Sequence, residues 1–181
     1  GEGEARCTNP WKPSRFNGNH RGKAWGVRVD LKHRTVSAPR VPMPALITAV
    51  AAKMREAQCE VLRRFTPNEA NAIEYQRAAG HELLPHVDDR QMSSDVLANL
   101  SLAGDCTMTY ADDRDRGGPG RTPTTAVDVF LPRRSLQVQS GSCRFNFTHS
   151  ISNGNLHHPR RVSITFRESA TPTSKTTTRG R

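Results

Sequence analysis

His86 and Asp88 stand two residues apart in Leu84-Pro85-His86-Val87-Asp88-Asp89. In an extended chain, side chains at i and i+2 project to the same side, so this imidazole and this carboxylate can converge on one ion. A second imidazole, His149, ends the strand-like run Phe145-Asn146-Phe147-Thr148-His149. Two nitrogens and one carboxylate oxygen suit Fe(II) and leave coordination positions open for chemistry. Asp89, His81, His157 and His158 compete for the same role. Asp89 lies three residues from His86, a poor spacing for a strand. His81 sits in a broken loop, and His157-His158 lie beside Pro159 in another. Taken singly, each triad residue also has a plain structural use, His149 as a hydrogen-bonded core histidine and Asp88 as a turn cap.

Arg161-Val162-Ser163-Ile164-Thr165-Phe166-Arg167 alternates polar with apolar residues, the period of a half-buried strand. Arg161, Ser163, Thr165 and Arg167 then share one face, with Val162, Ile164 and Phe166 on the other. A buried guanidinium needs an anionic partner, and its planar fork matches a carboxylate bidentately. A dicarboxylate such as 2-oxoglutarate, held beside the metal, meets that need, and Tyr75 can add a hydroxyl from a neighbouring strand. Two surface arginines on an edge strand are the plain alternative.

Around these residues the chain reads as short strands. Residues 25–31 alternate and predict a strand, with a short continuation at 33–36. Pro44 suits the first position of a helix. Leu46, Ile47, Val50, Ala51 and Met54 follow at helical spacing, predicting an amphipathic helix over 44–58 with Lys53, Arg55 and Glu56 toward solvent. Further strands are predicted at 70–75, from Leu83 into His86, at 96–102, 106–110, 127–131 and 135–139, through His149, and at 160–167. Ser140-Gly141-Ser142 reads as a turn and residues 112–123 as a polar loop. The count fits a mainly β chain with a flanking helix (α+β), folded as two facing antiparallel sheets, a jelly roll. That architecture can bring His149 beside His86.

The 181 residues suffice for one domain with a core. An apolar content of 34 % suits a loop-rich β architecture better than a helical bundle. No apolar run approaches the ~20 residues of a membrane-spanning helix, so no membrane partner is expected. The chain opens Gly1-Glu2-Gly3-Glu4 without a starting Met or a signal peptide, and is expected to be a fragment of a longer protein. Cys7, Cys59, Cys106 and Cys143 are dispersed, which argues against structural zinc and for free thiols in a reducing compartment. The formal net charge is +10, and residues 1–45 carry nine Lys/Arg against three Asp/Glu. Such an excess favours polyanions, nucleic acid before acidic protein. The expected organisation is a basic, partly flexible segment over 1–24, a folded domain over 25–168 and a disordered basic tail over 169–181. A monomer is expected.

His86-x-Asp88, His149 and Arg161-x5-Arg167, in this order, resemble the AlkB family of Fe(II)/2-oxoglutarate dioxygenases. Supporting matches are Leu100-Ser101-Leu102, Leu131-Pro132-x-Arg134-Ser135-Leu136, Gly141-x-x-Arg144 and Thr165-Phe166-Arg167. The likeness runs from about Pro10 to Glu168. It is greatest to the branch of the fourth animal homologue, through Pro10-Trp11-Lys12, Gly26-Val27, Tyr75 and His86-Val87-Asp88-Asp89. The resemblance implies a double-stranded β-helix with iron on His86, Asp88 and His149. It implies 2-oxoglutarate on Arg161 and Tyr75 at the distal carboxylate, with Ser163 and Arg167 also on the co-substrate, and O₂ as second co-substrate. It further implies oxidative N-demethylation, releasing formaldehyde, succinate and CO₂. One departure stands out. Nucleic-acid members carry Asn-x-Tyr before the metal motif, whereas here Ile73 takes the Asn place.

The substrate expected is a methylated nucleobase in DNA or RNA, for example N6-methyladenine, with phosphates on Lys12, Arg15, Arg21, Lys23 and Arg28. The alternative is methyl-lysine on a protein, with Glu74, Tyr110 and Trp25 as pocket walls. A second alternative is a non-catalytic basic module that binds nucleic acid. The expected location is intracellular, in nucleus or cytoplasm.

Overall fold

Alternation along the last strand divides the molecule into an inside and a helix-covered outside. The structure, a computed structural model, describes residues 9–39, 41–115 and 125–170. Its strands, in chain order, are β1 (Lys12–Ser14), β2 (Gly18–Gly26), β3 (Arg28–Asp30), β4 (Thr35–Ser37), β5 (Glu69–Gln76), β6 (Glu82–His86), β7 (Ser93–Ala103), β8 (Cys106–Asp112), β9 (Ala126–Leu131), β10 (Leu136–Gln139), β11 (Phe147–Ile151) and β12 (Arg160–Ser169). Two α-helices, α1 (Ala45–Met54) and α2 (Gly141–Asn146), join them.

Among the described residues, ten strands form one nearly closed antiparallel sheet in the order β10-β7-β12-β5-β2-β6-β11-β8-β9, with β1 paired to β2. The larger wall is β10-β7-β12-β5-β2 and the smaller is β6-β11-β8-β9. One strand joins them: β2 lays Arg21 to Gly26 along β5 and Gly18-Asn19 along β6. The hairpin β3-β4 forms a separate two-stranded sheet. This is the jelly roll that the strand count predicts.

The outer face of the larger wall carries one core. Ile47, Ala51 and Met54 of α1, with Leu62 and Phe65, pack on Ala70, Ala72, Ala98, Ile164 and Phe166. Fully burying Phe65 or Phe166 contributes roughly 1.5–3 kcal/mol each. The second core lies between the walls and includes Tyr75, Leu83, Cys106, Met108, Tyr110, Leu131, Ile151 and Leu156. Polar residues of β12 therefore face the interior because its apolar residues are committed to α1.

Several local expectations need correction. Residues 12–26 supply β1 and β2, although most of this stretch reads as mobile. β2 lacks a clean apolar alternation because Gly18, Gly22 and Gly26 contribute no side chains; Gly18 and Gly26 leave room for neighbouring backbone, and a Cβ on Gly26 would fall 2.0 Å from the Asn68 carbonyl oxygen. The single strand expected over 25–31 is broken at Val27 into the end of β2 and the start of β3. α1 ends at Met54, earlier than 58, and Leu46 is exposed; the buried stripe is Ile47, Ala51 and Met54. The turn at 140–142 opens α2, which consumes Phe145 and Asn146 before β11 begins. Most of the predicted 112–123 loop, and residues 171–181 of the predicted tail, lie outside the described residues.

Candidate active site

β6 ends on His86, and β11 carries His149 directly opposite it in the pairing register. Neighbouring strands thus place the two imidazoles side by side, 4.3 Å between ring centroids. Asp88 follows β6 by two residues and turns back toward both. Ligand atoms of His86, Asp88 and His149 all lie within 4.8 Å of one another. Nε2 of His86 is 3.4 Å and Nε2 of His149 3.9 Å from Oδ1 of Asp88.

Protonation suits a cation at this point. The Leu84 carbonyl can only accept, so Nδ1 of His86, 2.8 Å away, carries the proton. Nε2 of the same ring points at Asp88 Oδ1, so a cation set between them would be held by both. Burial, chiefly, pushes the His149 imidazole down to about 4, outweighing the pull of Asp88. Burial alone would raise the Asp88 carboxyl. The Arg167 guanidinium facing it and the two imidazoles outweigh burial and hold it well below the usual carboxylate range. Arg167 grips Oδ2 through Nε at 3.1 Å and Nη2 at 2.5 Å, leaving Oδ1 toward the histidines. Near neutral pH, His149 and Asp88 are therefore ready-made ligands.

A narrow cavity of about 50 Å³ runs from this triad between the walls, past Thr165 and Ser163, to Arg161 and Tyr75. Arg161 is 1 % exposed. Its Nη1 donates to Ser163 Oγ at 2.8 Å and its Nη2 to Ser101 Oγ at 3.4 Å, while its buried Nε has no partner. Its guanidinium carbon lies 5.6 Å from the Tyr75 ring centre. None of these contacts is an anion. A fully buried cation held by hydroxyls and facing a cavity would suit a carboxylate. The donor set thus fits Fe(II) at one end and a dicarboxylate at the other.

The sequence comparisons agree with this geometry. A family model described as the 2OG-Fe(II) oxygenase superfamily matches residues 6–167. The chain belongs to the 2OG-Fe(II) oxygenase superfamily. A DNA N6-methyl adenine demethylase of Caenorhabditis elegans is 27 % identical over 153 residues, covering 83 % of this chain and 49 % of that protein. Alpha-ketoglutarate-dependent dioxygenase alkB homolog 4 of Mus musculus is 26 % identical over 183 residues, covering 88 % of this chain and 59 % of that protein. This oxygenase spans about half the length of these two relatives. The fold matches the structure of OsALKBH1 with a TM-score of 0.65 at 16 % identity, over 90 % of this chain and 86 % of that one.

As an enzyme, this oxygenase uses Fe(II), 2-oxoglutarate and O₂. His86, Asp88 and His149 would hold the metal, and Arg161 with Tyr75 would receive the far carboxylate of the co-substrate. When bound, the iron would let O₂ act as the oxidant, with 2-oxoglutarate giving two of the four electrons that O₂ takes up and the substrate the other two. The chain contributes orientation and exclusion of water. Ser101 and Ser163 fix the Arg161 fork, and Arg167 keeps Asp88 ionised. Arg144 braces the ligand loop from α2 by donating to the backbone carbonyls of Asp88 at 3.0 Å and Asp89 at 2.5 Å.

The remaining predicted residues divide. Ser163 lines the cavity as expected. Tyr110 is buried, 6.2 Å from the His149 ring between centroids, and lines an open cleft of about 410 Å³ with Val127, Val129 and Phe147. Glu74 requires correction. It alternates away from Tyr75, and its carboxylate is taken by Arg21 at 2.9 Å and Arg160 at 2.7 Å. Arg21 is accordingly an ion-pair partner rather than a free cation. Trp25 packs with the core under α1, away from the cavity. Lys23 lies over the Trp11 ring at 4.7 Å, and Lys12, Arg15 and Arg28 are exposed. The rivals find other work. His81 is buried and accepts from the Gln76 backbone, Asp89 pairs with Arg34, and His157 and His158 bond Thr107 and the Asp105 backbone. Sequence reasoning missed Ser101, Asn99 and Arg144 as residues of the site. The first two occupy alternate positions of the predicted 96–102 strand, where period two alone puts both on one face.

Proposed function

We propose that this oxygenase oxidatively removes an N-methyl group from a nucleobase in DNA or RNA, with N6-methyladenine the leading candidate. One observation carries the choice of nucleic acid. Arg34 at the tip of the β3-β4 hairpin reaches Asp89, beside the ligand Asp88, at 2.9 Å. The contact sets a hairpin bearing the exposed Arg28 and Lys32 against the metal loop, where a phosphate backbone entering with its base would meet positive charge. The described activity of the C. elegans relative supports the same reading. The methyl-lysine alternative loses support because Glu74 is consumed by two arginines and Trp25 lies under α1, leaving Tyr110 of its three expected walls.

The test is succinate formation from 2-oxoglutarate with Fe(II), comparing methylated DNA, methylated RNA and methyl-lysine peptide. Turnover should rise with a methylated nucleic acid, vanish in His86→Ala and His149→Ala, and weaken steeply with salt. Stimulation by the peptide alone would overturn the nucleic-acid reading while leaving the oxygenase intact.

A further inference from the structure

Asn99 is a polar group that lines the cavity without an assigned use. It lies on β7, opposite Thr165 of β12, and lines the cavity between Arg161 and the triad. Its amide is joined to Thr165 Oγ1 at 2.7 Å through Nδ2, which leaves Oδ1 buried with no partner. Rotating the amide by half a turn keeps that bond, with the Thr165 hydroxyl now donating to Oδ1, and turns the NH₂ toward the cavity. The two orientations are not equivalent once an anion enters. A carbonyl oxygen would oppose a carboxylate, whereas an NH₂ would donate to it.

Register gives the level along the cavity. Ser101 and Ser163, which hold Arg161, face each other one step away; Asn99 and Thr165 are the next inward pair toward Arg167. Two residues of strand advance about 7 Å, close to the length of a five-carbon dicarboxylate. The neighbouring strand β5 supplies no competing polar group at this level. Asn71, opposite Thr165 on β5, is turned to Glu69, and the β5 residue that lines the cavity beside Tyr75 is Ile73.

We infer that Asn99 is a further co-substrate-binding residue, whose side-chain NH₂ donates to the metal-side end of a 2-oxo dicarboxylate anchored at Arg161. This rests on the assignment of 2-oxoglutarate as co-substrate. A purely structural role is the rival: Gln137, opposite Asn99 on β10, has a buried Oε1 without a partner and can accept from the same NH₂.

The experiment is calorimetric titration of 2-oxoglutarate into the Mn(II)-loaded full chain, wild type against Asn99→Leu and Asn99→Asp. Loss of a hydrogen bond to a charged group should weaken binding about tenfold to a hundredfold in Asn99→Leu. Asn99→Asp should weaken it further, and Mn(II) affinity should stay unchanged in both. Asn99→Leu within twofold of wild type, with only its stability lowered, would overturn the inference in favour of the rival. Should the variants fail to fold, the wild type decides. The Asn99 side-chain amide resonances in a Zn(II)-loaded sample must shift when 2-oxoglutarate is added, and their constancy overturns the assignment. A wild type that binds no 2-oxoglutarate would instead sink the co-substrate reading itself.

Discussion

Arg161 shows what a single residue concedes to function. Its cation is buried against two serine hydroxyls and a tyrosine ring, with an unpartnered Nε and no anion in contact. Desolvating it costs free energy that a bound carboxylate would offset. Arg161→Met is therefore expected to leave the ligand-free protein as stable as wild type or more so, while weakening 2-oxoglutarate binding by at least a hundredfold. Thermal denaturation with and without 2-oxoglutarate reads both effects, and a variant destabilised without ligand would contradict this account. Protonation makes a second residue-scale prediction. His149 titrates near 4 in the folded chain against an ordinary 6.5, so the unfolded chain binds the extra proton first. For the metal-free protein, this contribution to stability is complete above 6.5 and is lost as pH falls toward 4, by roughly 3 kcal/mol at most. Asp88, held well below 3.8, adds a further loss at lower pH. Urea midpoints of chelated protein should trace this fall, and His149→Gln should flatten the segment between 6.5 and 4. The triad is legible in the sequence because its members are few, of rare types, and at a spacing that a strand exit converts directly into convergence. Glu74 misleads because it neighbours Tyr75 in sequence but alternates to the opposite face, where two arginines claim it. Asn99 escapes notice because an amide in a strand carries no sign of whether its partner is protein or ligand.

Elements were readable where one face was apolar and the other polar. β12 announces itself by that contrast, since Ile164 and Phe166 go to α1 and the alternating polar residues go to the cavity. β2 does not, because its work is done by backbone pairing to β1, β5 and β6, and glycine has no side chain with which to set a period. α2 hides for another reason: six residues opening Gly-Ser have the composition of a turn, and the buried Arg144 donates to backbone carbonyls 55 and 56 residues away in sequence. One position tests how an element aims its residues. Gly104, with φ of +72°, lies where β7 turns into β8, and a Cβ there would fall 2.3 Å from the Arg160 carbonyl oxygen and 3.0 Å from Arg161 Cα. Gly104→Ala should cost about 1–3 kcal/mol through its backbone conformation alone. Because the clash is with the start of β12, it should also weaken 2-oxoglutarate binding while leaving Mn(II) binding to the distant triad largely unchanged. Parallel loss of both affinities would show that Gly104 supports the whole fold rather than the Arg161 end.

At the scale of the molecule, the pairings that build the site span most of the chain. β12 must find both β5 and β7, Asn68 bonds Ser169 across 101 residues, and β2 cannot settle until β5 and β6 both exist. Such non-local closure is slow relative to local structure. His86 and His149 meet only through the pairing of β6 with β11, and Asp88 is fixed by Arg167 from the far end of β12. No piece of the chain shorter than residues 86–149 owns all three ligands. The sharing of β2 between the two walls thus has a consequence in time. A metal ion cannot serve as a template around which this protein condenses, as it does in a zinc finger. It can only be a late arrival that locks a completed fold. Stopped-flow refolding should give the same folding rate with and without Mn(II), whereas unfolding of the loaded protein should be slower. In the cell, that order would leave a folded, iron-free oxygenase as an obligatory stage in the life of every copy.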